Sequence, residues 1–149
     1  MTPDHVFSAA NTVALASWLL LLLPGRNKVS AIVAGVVVPA MLALLYVALI
    51  AVNFAGSQGG FSTIGNVGLL FSNPWLLLAG WIHYLAFDLL VGTWEARDAR
   101  ERGIPHLAVV PCLILTFLFG PAGWLLYLAV RSFGTAARSL PDARPSSAH

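Results

Sequence analysis

Four apolar segments of the sequence are each close to the length of a helix that crosses the hydrocarbon core of a bilayer, which takes about 20 residues. They cover residues 6–23, 29–54, 75–94 and 106–130. Charged residues make up 9% of the 149 residues, whereas soluble domains carry about 25%, so the chain cannot cover a water-facing surface. We therefore predict an all-α integral membrane protein, folded as a four-helix bundle in one transmembrane domain, residues 1–131.

The stretches between and after these segments are shorter or more polar. Residues 61–72 are uncharged and too short to span, so we predict an interfacial or re-entrant helix between the second and third spans. Pro39 is expected to kink the second span, and Pro111 and the Gly120-Pro121 pair are expected to kink the fourth. The Asn73-Pro74 pair predicts the start of the third span, with a capping side chain followed by Pro at the first helical position. Trp124 and Tyr127 are expected to anchor the fourth span at the membrane interface. Residues 132–149 are rich in Ala, Ser, Pro and Arg, which predicts a disordered tail.

The positive charges favour one orientation in the membrane. Arg26 and Lys28 in the first loop, with Arg97, Arg100 and Arg102 in the third, place these two loops on the cytoplasmic side. Both termini then lie on the outside. We expect a multi-pass protein of the bacterial plasma membrane that has no organelle-import leader, contacts membrane lipids and binds no nucleic acid.

One ionisable pair lies within an apolar segment. His83 and Asp88 both belong to the third span, where an aspartate costs about 2.5 to 3.5 kcal/mol on the insertion scale. Tyr84 and Phe87 fall between them on one broad helix face, and together these residues form a predicted midplane site. Two interpretations are open: a polar clamp whose side chains bond to their neighbours, or a site for proton transfer or ligand recognition.

A second polar cluster is predicted at the rim of the membrane, where Glu95 and Asp98 follow the third span and His106 opens the fourth. These residues could hold a metal, but salt bridges to the arginines of the same segment are the interpretation we favour. The chain has four histidines, and they do not form the clusters that membrane di-iron enzymes need. There is also no glycine-rich nucleotide motif, so we predict neither a metal nor a cofactor.

The order of these polar residues resembles a known family. Trp81-Ile82-His83, Asp88-Leu89, Asp98, His106 and Gly120-Pro121-Ala122-Gly123 occur at spacings similar to those of the abscisic-acid-deficient-four-like proteins. These are small four-helix membrane proteins related to the plant protein required for neoxanthin synthesis. The resemblance covers about residues 6–131 and is most specific across 74–127.

The resemblance implies a carotenoid or related isoprenoid lipid as the substrate. It also implies a redox-neutral isomerisation in which an epoxide opens, an adjacent proton leaves and an allene forms. Such a reaction needs an acid and a base. By the same resemblance, the catalytic candidates are His83, Asp88, Asp98 and His106. The substrate-binding candidates are Trp81, Tyr84, Phe87 and Glu95.

Two other functions are compatible with the same sequence. The first is a lipid-binding or pigment-binding membrane protein without catalytic activity, or an accessory subunit of a biosynthetic enzyme. The second is a small transporter that carries protons on Asp88. With four spans and no visible internal repeat, a transporter would need to assemble as a homo-oligomer.

Overall fold

The computed structural model describes residues 2–23 and 28–136, and every regular element in these residues is helical. The all-α prediction is therefore confirmed for this part of the chain. In chain order the elements are α1 (Pro3–Leu22), α2 (Lys28–Ile32), a π-helical turn (Val33–Val37), α3 (Val38–Asn53), α4 (Ile64–Phe71), α5 (Pro74–Glu101), α6 (His106–Phe119) and α7 (Pro121–Ala136). The described residues up to Trp94 form one compact unit, and those from Glu95 onward form a second.

Three helical segments in the described residues are long and apolar enough to cross a membrane. They are Pro3–Leu22, Lys28–Asn53 and Pro74–Glu101. The last of these starts where the Asn-Pro pair predicts, because the Asn73 side chain accepts a hydrogen bond from the Trp75 N–H at 2.9 Å and Pro74 occupies the first position. The membrane character inferred from composition is thus matched by helices of sufficient length.

In the first unit, α1 and α5 run in the same direction. The ring of Phe7 lies 5.6 Å from that of Trp81, and further along both helices Trp18 packs on Gly92. A Cβ atom at Gly92 would overlap the Trp18 ring. Glycine therefore lets the two helices approach closely at this point.

The segment Lys28–Asn53 runs antiparallel to α5, and a π-helical turn interrupts it next to Pro39. In that turn the N–H of Val38 bonds to the carbonyl of Val33. The next donor in this register would be Pro39, which has no N–H. Thr93 of α5 compensates, since its hydroxyl donates to the Ala34 carbonyl at 3.5 Å. The break predicted at Pro39 is thus accommodated by a wider turn and a neighbouring side chain.

The short helix α4 lies within the stretch predicted to be interfacial or re-entrant. It is an eight-residue helix whose N-terminus is capped by Thr63, which accepts a hydrogen bond from the Asn66 N–H at 3.1 Å. Phe71, at its end, packs its ring against Gly80 of α5. Through this contact α4 helps to form the clefts described below.

The second unit differs from the single fourth span expected over residues 106–130. The helix stops at Phe119, and Gly120 takes a φ of +43°, which favours glycine. Gly123 then packs directly on the backbone of Thr116, although these residues would lie about 10 Å apart along a continuous helix. The chain reverses at Gly120-Pro121, so α6 and α7 form a helical hairpin rather than one kinked helix.

The C-terminal stretch was predicted to be disordered from residue 132. The structure continues α7 through these positions to Ala136. The rest of that stretch, residues 137–149, lies outside the described residues, as does part of the first loop, residues 24–27.

Candidate functional site

A large cleft of the first unit lies beside the first turns of α5. Its volume is about 660 Å³, and its lining is mostly apolar. Helix α1 contributes Pro3 and Phe7, α4 contributes Phe71, and α5 contributes Leu77, Trp81 and Tyr84. We call this space the large cleft.

Trp81 is held firmly in the wall of the large cleft. Its indole N–H donates to the side-chain oxygen of Asn11 at 3.1 Å. Its ring lies between those of Phe7 and Tyr84, with centroid distances of 5.6 and 5.3 Å. The structure therefore places two predicted substrate-binding residues, Trp81 and Tyr84, side by side on one cleft.

Asp88 lies one helical turn beyond Tyr84, and the two side chains are hydrogen-bonded. One carboxylate oxygen of Asp88, Oδ2, is buried and has no hydrogen-bond partner among the described residues. A buried carboxylate oxygen without a partner is costly. The Tyr84–Asp88 pair thus connects the wall of the large cleft to a carboxylate with unused hydrogen-bonding capacity.

His83 lies on a second, smaller cleft of about 280 Å³. This small cleft is also lined by Tyr46 of α3, Phe61 and Leu70. The imidazole ring stacks on Phe87 with a centroid distance of 4.5 Å and contacts the Tyr46 ring at 5.4 Å. His83 is exposed, and the contacts described for its ring are aromatic.

The two clefts meet at one place on α5. Phe71 and Gly80 line both of them, and the Phe71 ring is so close to Gly80 that a Cβ atom there would lie 3.1 Å from it. His83 lines the small cleft, whereas Asp88 lines neither of these two clefts. The two residues are about 140° apart around α5, and the Phe71 ring lies where the clefts adjoin.

In the second unit, Asp98 is the centre of an ion-pair network. It accepts hydrogen bonds from Arg102 at 2.8 Å and from the Tyr127 hydroxyl at 2.6 Å. Arg131 pairs with both of its oxygens, at 3.0 and 3.3 Å. Arg102 is one of the arginines that the salt-bridge interpretation of the rim cluster proposes as partners. Tyr127 and Arg131 belong to α7 and are not part of that prediction.

Tyr127 was expected to anchor a span at the membrane interface, and this expectation is wrong. Its side chain is fully buried, with 0% exposure, because it reaches the Asp98 carboxylate. The signal for this contact that the sequence offered was the spacing of Tyr127 and Arg131, because residues four apart share a helix face. Pairing that face with Asp98 required the chain reversal at Gly120, which was not predicted.

Glu95 and His106 occupy different environments in the same unit. Glu95 is fully buried and accepts hydrogen bonds from the Thr116 hydroxyl at 3.0 and 3.2 Å. His106 is half-buried as the first residue of α6. No group of three or more His, Cys, Asp or Glu side chains in the described residues is placed to hold a metal.

Comparison with known proteins identifies the family. The model of the family described as ABA DEFICIENT 4-like matches residues 5–127. The chain therefore belongs to this family, as the spacing of its polar residues predicts. No match was found among the curated proteins or the solved structures compared.

Proposed function

We propose that this ABA DEFICIENT 4-like protein binds a carotenoid or related isoprenoid lipid in the clefts of its first unit. We further propose that it isomerises the oxygenated ring end of that lipid without net oxidation or reduction, in the plasma membrane of a bacterium. The observation that carries the proposal is Tyr84 in the wall of a large apolar cleft, with its hydrogen bond to Asp88 one turn further along α5. Family membership supports the same substrate class, because the family is related to neoxanthin synthesis.

The size and lining of the clefts support a long apolar ligand. Ligand pockets are typically about 300–1,000 Å³ and mostly apolar, with a few polar groups that fix orientation. The large cleft, at about 660 Å³, is in this range. Movement of the Phe71 ring would join it to the small cleft, since both clefts are lined by this residue. The ring end of a carotenoid would then lie near Tyr84 while its polyene chain continues past Gly80.

The isomerisation requires the protein to donate one proton to the lipid and to accept another from it. When an epoxide opens to an allene, the carbon–oxygen bond breaks, the oxygen gains a proton and a neighbouring carbon loses one. The elemental formula of the lipid is unchanged. Tyr84 lines the large cleft and is hydrogen-bonded to Asp88, so we assign to this pair the proton that the epoxide oxygen gains. His83, on the small cleft, is the candidate base for the carbon-bound proton once movement of the Phe71 ring has joined the two clefts.

Expression in a host that accumulates epoxy-carotenoids tests this proposal. We expect a new pigment of the same mass as its precursor, with absorption at shorter wavelength because an allene interrupts the conjugated chain. The matched control is the same host with the empty vector. An unchanged pigment profile, in a host where the protein is present in the membrane, would contradict isomerase activity.

Purification of the protein from the same host distinguishes catalysis from binding alone. The apolar lining of the clefts also suits a pigment-binding protein without catalytic activity. Unmodified carotenoid that copurifies with the protein, together with an unchanged pigment profile, would favour that function.

A further inference from the structure

A third cavity lies in the second unit, and none of its lining residues is assigned to the isomerisation. Its volume is about 260 Å³, and it is lined by Arg102, Leu128, Arg131 and Ser132. Arg102 follows the end of α5, and the other three residues belong to α7. We call it the arginine cavity.

The two guanidinium groups in the arginine cavity are held by the Asp98 carboxylate. Asp98 pairs with Arg102 at 2.8 Å and with Arg131 at 3.0 Å. Because the arginines are held by Asp98, little side-chain freedom is lost when they bind a further anion.

The helix that carries most of this cavity also presents an apolar surface. On α7, Trp124 and Leu125 are 40% and 61% exposed and lie on the same side of the helix as Leu128, which lines the cavity itself. A ligand seated there would therefore meet arginines and a hydroxyl at one end and apolar helix surface along the rest. This combination suits an amphipathic anion rather than a free one.

We propose that the arginine cavity binds the phosphate headgroup of an anionic phospholipid, with the acyl chains along α7. Guanidinium groups recognise phosphate oxygens in paired, charge-assisted hydrogen bonds. Basic pockets between membrane helices are known to hold anionic headgroups. The site is independent of the carotenoid clefts in its residues, so it stands whether or not the isomerase proposal does.

Native mass spectrometry of the full chain in detergent tests this site with phosphatidylglycerol as the probe. We expect the wild-type protein to retain phosphatidylglycerol and to release phosphatidylcholine. In Ser132→Glu, which places a negative charge in the cavity and leaves both arginines intact, we expect about a tenfold loss of retained phosphatidylglycerol. Arg102→Gln is expected to act in the same direction.

The control is Arg97→Gln, because Arg97 is an exposed arginine on the same helix and pairs with Glu101 instead. We expect it to retain phosphatidylglycerol like the wild type, and a thermal-unfolding curve for each variant separates loss of the site from loss of the fold. Equal retention by wild type and Ser132→Glu would overturn the proposal. Inorganic phosphate binding as tightly as the lipid would assign the cavity to a free anion and would also overturn it.

Discussion

Asp98 and Tyr127, which are 29 positions apart in the sequence, are joined by a hydrogen bond of 2.6 Å. The contact links the end of α5 to the middle of α7. It can form only because the chain reverses at Gly120-Pro121, and Arg131 adds a second link from the same face of α7. The hairpin and the ion-pair network therefore depend on each other.

Replacement of Tyr127 by phenylalanine tests the strength of this link. The change removes the hydroxyl that donates to Asp98 and leaves a charged acceptor short of one partner. We expect the free energy of unfolding to fall by about 1–3 kcal/mol. Thermal or denaturant unfolding in detergent measures the change. Tyr46→Phe is the control, because Tyr46 is only half-buried and its described contact is through the ring. Equal effects of the two changes would contradict this role for the Tyr127 hydroxyl.

Removal of the Asp98 charge should have a larger effect. In Asp98→Ala, two partly buried arginines lose their shared carboxylate, and Tyr127 loses its acceptor. We expect a loss of about 3 kcal/mol, at the lower end of the range for broken buried pairs because the arginines are about one-third exposed. The same unfolding assay applies, with Glu101→Ala as the exposed control. A loss no greater than that of the control would show that the network is not stabilising.

The close approach of α1 and α5 depends on Gly92. A larger side chain there meets the Trp18 ring, so we expect Gly92→Val to destabilise the first unit by about 1–3 kcal/mol. Gly68→Val is the matched control, because no atom lies within 4 Å of a Cβ placed at Gly68. Yield of folded protein and unfolding midpoint are the measurements. If Gly92→Val were tolerated as well as the control, the packing of Trp18 on this glycine would not be a constraint.

The junction of the two clefts offers a way to block the ligand without changing a polar group. In Gly80→Leu the new side chain would enter the space shared by both clefts and press on Phe71. We expect copurified or converted carotenoid to fall at least about tenfold, since a filled cleft has no room for the ring end. Gly68→Leu serves as the control for expression and folding. Unchanged pigment in Gly80→Leu would show that the ligand lies elsewhere.

Much of the first unit could be predicted from the sequence, because its signals are local. Hydrophobic length identified the spanning segments, and the Asn73-Pro74 pair gave the start of α5. The polar stripe of Tyr84 and Asp88 followed from helix periodicity. The wide turn next to Pro39 was foreseen as a break, whereas its repair by Thr93 required knowledge of which helix lies beside it.

The second unit was harder to predict, because its arrangement depends on long-range contacts. An apolar stretch of about 25 residues can form one tilted span or two short helices, and hydropathy alone does not distinguish them. The Gly120-Pro121 pair was interpreted as a kink, but the positive φ at Gly120 reverses the chain. The pairing of Asp98 with Tyr127 and Arg131 follows from that reversal, so it could not be foreseen.

The most direct test of the central proposal is the amount of isomerised carotenoid made by Asp88→Asn in an epoxy-carotenoid host, relative to wild type and to the exposed control Glu101→Gln. The asparagine keeps the size of the side chain and removes its ability to carry a proton. We predict that the product falls at least about 100-fold in Asp88→Asn, as expected for loss of a group in acid–base catalysis, and is unchanged in Glu101→Gln. Wild-type levels of product from Asp88→Asn, at equal protein abundance, would contradict the role of the Tyr84–Asp88 pair.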